Sequence, residues 1–230
     1  MRSARWVVVV PVKDARRGKT RLAEVLEPGA RAALVRAMAW DTVAGVADCP
    51  AVARTLVVTG DPEVSAAVRE LPRVGVLPEP DAQVGSGWAA LDRAVLAGVQ
   101  RARTEAPGVG VAVLLGDLPR LDPGELGAAL SAAAAQVRSV LADAEGTGTT
   151  LLTVGPGVDF RSRFGPGSAA AHQGLGYRRL ALEVPTLRED VDLPADLTRL
   201  LDRGVDGRTG ALLRRLAPLP IPSSEREGTA

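Results

Sequence analysis

The chain has 230 residues, 46% hydrophobic and 24% charged, enough for one large α/β domain with a real core. Its 28 basic residues against 27 acidic ones leave a net charge of +1, and only 3% of residues are aromatic. That balance argues against a surface that wraps nucleic acid or a platform that stacks single strands. The single Cys49 excludes an internal disulfide and a multi-cysteine metal cluster, and it reads as a small buried residue.

Trp6 to Val12 is apolar, but it is too short for a signal core and ends in Lys13-Asp14. No stretch approaches the roughly 18 apolar residues of a membrane span, so the expected location is the cytoplasm with no membrane partner. Val7-Val8-Val9-Val10 is a β-branched run and reads as the first buried strand. The loop after it carries Lys13, Arg16, Arg17, Lys19 and Arg21 around Gly18. Cationic side chains and backbone N–H groups at the mouth of a sheet suit a polyphosphate, although a charge run is equally the mark of a solvated loop. The spacing is not that of a P-loop.

Ala30 to Ala47 has a helical period, with Leu34, Val35, Met38, Val43 and Val46 on its apolar side. Val52–Val58, a helix over 63–70 and Val74–Leu77 follow. Strand, helix, strand, helix, strand is the order of a parallel sheet with right-handed crossovers. A loop over Asp81–Gly87 leads to an amphipathic helix from Trp88 to Arg103, whose N-terminus is placed to meet an anion or a base at the same sheet edge.

Val111 to Leu115 is a short continuous apolar run that enters Gly116-Asp117-Leu118-Pro119. It reads as a strand buried on both faces, with the Asp117 carboxylate just past its C-terminal end, where open α/β sheets bind ligands. Asp117 reads equally as an ordinary turn residue. Gly116 permits a close approach by backbone or phosphate. Asp122-Pro123-Gly124-Glu125 has the form of a capping box for a helix running to about Gln136. Ser139–Ala142 and Leu151–Val154, joined by a Gly/Thr-rich turn, form a hairpin.

Phe164-Gly165-Pro166-Gly167 is a tight turn, with Ser168 as N-cap of a short helix. His172, the only histidine, reads as a packed structural residue. Leu180–Val184 is expected to be a strand. Asp190 and Asp192, at i and i+2 of an extended chain, call for a cation between them, unless Asp192 caps the helix over 194–201. A last helix covers 208–215, and the proline-rich 217–230 reads as an extended or disordered tail.

Five motifs then occur in order. They are Pro11-Val12-Lys13 with Lys19-Thr20-Arg21-Leu22, Gly116-Asp117-Leu118-Pro119, Gly146-Thr147-Gly148-Thr149, Arg163 to Ser168 with His172, and Asp190-Val191-Asp192. Over about residues 6–205 the chain resembles the CofC/FbiD guanylyltransferases of deazaflavin coenzyme biosynthesis, relatives of the molybdopterin-guanylyltransferase type. The resemblance implies a single Rossmann-like α/β nucleotidyltransferase domain over 1–216, MobA-like, with a mostly parallel sheet flanked by helices. It implies transfer of GMP from GTP to phosphoenolpyruvate or 2-phospho-L-lactate with release of pyrophosphate. By the same resemblance Asp117, Lys13, Lys19 and Arg21 serve catalysis. Thr149, Gly165 and Ser168 bind the phospho-acid, and Asp117 and Asp190 hold Mg²⁺ with Asp192 helping. Relatives carry Leu-Asn where this chain has Gly87-Trp88, which bears on base recognition. A homodimer and direct handover of product to the next pathway enzyme are left open. Rival readings are a transferase of the same fold with another acceptor, a glycosyltransferase using Asp190-Val191-Asp192, and a nucleotide-binding module without turnover.

Overall fold

The computed structural model describes residues 6–80 and 88–216. β1 (Trp6–Val12) is buried along its whole length, as its valine run requires of a strand covered on both faces. It pairs in parallel with β2 (Val52–Thr59) on one side and with β4 (Gly110–Leu114) on the other. β3 (Val74–Pro78) extends the sheet beyond β2, also in parallel. β6 (Thr149–Val154) lies between β4 and β5 (Arg138–Ala142) and runs against both. β7 (Arg178–Arg179) pairs with β5 in parallel, so the order is β3-β2-β1-β4-β6-β5-β7. The sheet is thus mostly parallel, as expected, and Ser139–Ala142 with Leu151–Val154 does form the antiparallel pair.

Side chains alternate along the strands and separate two cores. Val8, Val10, Ala112 and Leu114 pack under α1 (Pro28–Asp48) and α4 (Pro123–Ala133). Val7, Val9, Val111 and Val113 pack under α3 (Trp88–Glu105). α2 (Pro62–Val68) connects β2 to β3. A third cluster joins the other side of α1 to Leu22 of the basic loop, to Val191, and to α6 (Pro194–Asp202) and α7 (Gly207–Leu216). It brings the first loop against the acidic segment although they are about 170 residues apart in sequence. Among the described residues no helix is long and apolar enough to cross a membrane.

Three local expectations are corrected. The strand expected over Leu180–Val184 is only Arg178–Arg179. Leu180 N–H still donates to the Val140 carbonyl at 2.9 Å. The chain then leaves the edge to bury Val184 and Leu187, and Thr186 donates to the Glu125 carboxylate at 2.7–2.8 Å. That contact also alters the capping box of α4. Asp122 caps as expected, accepting from Glu125 N–H at 2.9 Å, but Glu125 reaches Thr186 and not back to Asp122. Lastly, Gly167, not Ser168, is the N-cap of α5 (Ser168–Gly174). The Asp81–Gly87 loop and the 217–230 tail lie outside the described residues.

The basic loop is tied to the sheet by a group that sequence reading passed over. Asp61 is fully buried and caps α2, accepting from Glu63 and Val64 N–H at 2.9 and 3.0 Å. It also accepts from Ala15 N–H at 3.1 Å and pairs with Arg36 at 3.0 Å. Burial alone would raise its carboxyl, but these donors and the Arg36 charge outweigh burial and hold it below its ordinary value. Asp61→Ala removes one partner of a buried pair and is expected to cost roughly 3 kcal/mol. Urea unfolding measures this, and a loss within 0.5 kcal/mol, the range of an ordinary surface substitution, contradicts the assignment.

Candidate active site

β1 and β4 are neighbours in the sheet, yet the chain leaves β1 toward β2 and reaches β4 only after α3. This is the topological switch point where such sheets open a crevice at their C-terminal edge. Gly116 sits there because β1 comes so close. A Cβ at Gly116 would lie 2.8 Å from a Val12 methyl and 3.3 Å from the Pro11 carbonyl. Leu118 N–H donates to the buried Thr42 hydroxyl at 3.0 Å, which fixes the turn on α1. Val191 N–H donates to the Asp117 carbonyl at 3.3 Å. Asp117 therefore anchors the segment that carries the other two carboxylates.

Carboxylate oxygens of Asp117, Asp190 and Asp192 lie within 4.8 Å of one another. Lys19 Nζ enters this cluster and contacts Asp117, and it contacts Asp192 at 2.5 Å. Arg21 stands 4.0 Å from Asp192. Lys19 adopts a left-handed backbone (φ 48°), a strained conformation for a residue with a Cβ, and buried Leu22 pins the turn that follows. Burial alone would lower the Lys19 pKa, but the charges of Asp117 and Asp192 raise it, so it stays cationic. Burial likewise works against ionised Asp192, and the Lys19 charge outweighs it. Burial, then the Asp117 charge, push Asp190 well above the usual carboxylate range.

Whether Asp192 is a helix cap is decided by Asp196. The Asp196 carboxylate accepts from Asp192 and Leu193 N–H at 2.8 and 2.7 Å, leaving the Asp192 side chain to face Lys19. A cation fits this cluster. Its donors are all hard oxygens, and Asp117 Oδ1 is buried with no hydrogen-bond partner among the described residues. Of the other loop cations, Arg16 folds back on Asp14 at 2.7 Å, whereas Lys13 lies 5.6 Å from the centre of the Trp88 ring.

A second group meets the same edge because β6 is antiparallel. Leu114 pairs with Leu151, and Leu115 N–H donates to the Thr150 carbonyl at 3.1 Å. The start of β6 at Thr149 therefore stands beside the end of β4. The Thr149 hydroxyl is 3.1 Å from the Ser168 hydroxyl and 3.0 Å from His172 Nδ1, all three groups being buried. The Gly165 turn is held by Asp92, which accepts from Ser162 Oγ at 2.6 Å and from Phe164 N–H at 3.2 Å. Gly165 has φ +134°, a conformation that disfavours any side chain, and a Cβ there would lie 3.2 Å from the Trp88 ring. Trp88, 47% exposed, thus stands between Lys13 and the Gly165 turn.

The Guanylyl transferase CofC like family model matches residues 6–225. The chain belongs to this guanylyl transferase family. A phosphoenolpyruvate guanylyltransferase from Thermomonospora curvata is 46% identical over 221 residues, covering 96% of this chain and 93% of that protein. One from Sanguibacter keddieii is 43% identical, with 95% and 88% covered. A solved nucleotidyl transferase from Methanothermobacter thermautotroptrophicus shares the fold, with a TM-score of 0.61 at 20% identity, covering 92% of this chain and 99% of that one.

In this guanylyl transferase the expected site residues fall into two groups at one sheet edge. Asp117, Asp190, Asp192, Lys19 and Arg21 form one, and Thr149, Gly165 and Ser168 form the other. Lys13 lies between them, over Trp88. Sequence reading missed Asp92, whose position on α3 carries no local signal. It also left His172 as packing. The i, i+4 spacing of Ser168 and His172, which puts both on one helix face, was the available clue. Lys19 and a divalent cation would draw on the same carboxylates. Lys19→Met is therefore expected to lose about 2 kcal/mol of stability, allowing for partial exposure, and Mg²⁺ is expected to raise its unfolding midpoint more than that of the unaltered chain. Equal Mg²⁺ effects in urea titrations of both proteins contradict a shared site.

Proposed function

We propose that the chain joins GMP from GTP to phosphoenolpyruvate and releases pyrophosphate, with Mg²⁺ held by Asp117 and Asp190 and assisted by Asp192. The observation that carries this reading is the meeting of the carboxylate–lysine cluster and the Thr149–Ser168 hydroxyl pair at one sheet edge, on neighbouring strand ends. The names of relatives at 41–46% identity favour phosphoenolpyruvate over 2-phospho-L-lactate. The family resemblance supports deazaflavin coenzyme biosynthesis as the pathway of the product, and this reading takes the cytoplasm as its compartment.

The chemistry asks for charge neutralisation and positioning more than for a base. A phosphate oxygen of the acid is already an anion. It forms a bond to the α-phosphorus of GTP as the bond to the bridging α–β oxygen breaks, and the electron pair leaves on pyrophosphate with no net proton transfer. Asp117, Asp190 and Asp192 would hold a divalent cation, which would supply positive charge against the phosphates. Lys13, over the Trp88 ring, and Arg21, 4.0 Å from Asp192, would offset negative charge on the leaving phosphates, while Lys19 keeps the carboxylate cluster compact. The Thr149 and Ser168 hydroxyls and the Gly165 N–H hold the acid. Ser168 N–H cannot join them, because it donates to the Gly165 carbonyl at 3.0 Å.

The test is pyrophosphate release with Mg²⁺ and GTP, with the two acids offered in parallel and products identified by mass. Guanylylated phosphoenolpyruvate is the expected product. GTP binding without release from either acid overturns the reading. Asp117→Asn is expected to lower turnover by about 10²-fold or more with the far-ultraviolet circular dichroism unchanged. Activity near that of the parent removes Asp117 from the metal site. Ser168→Ala is expected to raise KM for the acid roughly tenfold, about the contribution of one hydrogen bond to a charged group, and to leave KM for GTP in place. An unchanged KM for the acid counts against the clamp.

A further inference from the structure

His172 is buried and is not among the expected site residues, yet both of its ring nitrogens are engaged. Nε2 faces the Arg163 N–H at 2.9 Å, and Nδ1 faces the Thr149 hydroxyl at 3.0 Å. A backbone N–H can only donate, so Nε2 must present its lone pair. A neutral ring then carries its proton on Nδ1 and donates it to Thr149 Oγ1. A doubly protonated ring would set Nε2–H against the Arg163 N–H. Burial disfavours the charged form as well, pushing the ring down to about 4 against a small opposing effect of Asp92. The edges of Phe164 and Tyr177 fix the ring plane, with centroids 5.1 and 5.7 Å away.

The tautomer decides what the neighbouring hydroxyls can offer. Thr149 and Ser168 together carry two hydroxyl protons. One lies in the 3.1 Å hydrogen bond between them, whichever way that bond runs. With the His172 proton on Nδ1, the second hydroxyl proton is left for a ligand. With the proton on Nε2, the second would be taken by the Nδ1 lone pair and the hydroxyl pair would have none to give. We infer that His172 is a positioning residue which, through Arg163 N–H, locks the Thr149–Ser168 pair as a net hydrogen-bond donor, so that this site takes an anionic phosphate or carboxylate oxygen. The inference rests on reading Thr149 and Ser168 as ligands of the acceptor acid.

Because His172 is the only histidine, a long-range ¹H–¹⁵N spectrum of the full ¹⁵N-labelled chain contains one imidazole. At pH 7.5 the expected spectrum has a protonated Nδ1 and an unprotonated Nε2, and phosphoenolpyruvate shifts Nδ1. Inorganic phosphate and pyruvate, added separately, tell which anionic group occupies the site. A proton on Nε2, a doubly protonated ring, or a spectrum unmoved by phosphoenolpyruvate overturns the inference. His172→Phe keeps a ring but loses the Nδ1–H that orients the Thr149 hydroxyl and the Nε2 lone pair that holds Arg163 N–H. It is expected to raise KM for phosphoenolpyruvate about tenfold or more while KM for GTP stays the same, and His172→Asn, which restores a donor, is expected to recover most of that loss. Equal KM values in all three proteins contradict the role, and the spectrum of the unaltered chain decides the matter if a variant does not fold. If inorganic phosphate shifts the Nδ1 signal but no product forms from phosphoenolpyruvate, the proposed acceptor falls and the tautomer lock stands.

Discussion

Three carboxylates held within 4.8 Å of one another form the constraint around which this molecule is arranged. Two ionised groups 4 Å apart repel by on the order of 4 kcal/mol at the effective dielectric near a protein surface. One ammonium, that of Lys19, lies inside the cluster, and it cannot balance three negative charges. Burial, and after it the Asp117 charge, push Asp190 above the usual carboxylate range, and Lys19 enters the cluster from a left-handed backbone. The same imbalance favours a divalent cation, which arrives naturally with a nucleoside triphosphate. Leu22 and Val191 in one hydrophobic cluster, and Asp196 capping in place of Asp192, keep the charges where they are.

The reversed direction of β6 does comparable work for the second half of the site. Had β6 run parallel to β4, its first residue would lie at the opposite edge of the sheet. Running against β4, it delivers Thr149 to the edge where Asp117 ends its own strand. α5 then brings Ser168 and His172 to Thr149, and Asp92 on α3 holds the turn with Gly165. Trp88 bridges the halves, lying under Lys13 and against Gly165.

Much of this was legible in the chain because it depends on local patterns. The apolar runs of β1 and β4 read as strands covered on both faces, and Gly116-Asp117 after the second read either as a residue pair at the ligand-binding edge of the sheet or as an ordinary turn. The motifs from Lys13 to Asp192 carried the family resemblance and with it the candidate site residues. What stayed hidden depends on long-range partners. Leu180–Val184 has strand composition, but the burial of Val184 and Leu187 pulls it off the edge. Asp192 looked as able to cap a helix as to bind a cation until Asp196 was seen to do the capping. Asp61 carries no mark in the sequence that it holds Ala15, 46 residues earlier. Ser168 reads as an N-cap because its partner Thr149 comes from another strand.

The most direct test of the carboxylate cluster as the nucleotide's cation site is an electron paramagnetic resonance count of Mn²⁺ bound in the presence of GTP, in the parent chain and in Asp190→Asn. The expected result is tightly bound Mn²⁺ in the parent that is weakened at least tenfold by the substitution. Equal Mn²⁺ binding by both proteins would mean that the cluster is an ion-paired brace for the loop and that the cation needed for transfer is held elsewhere.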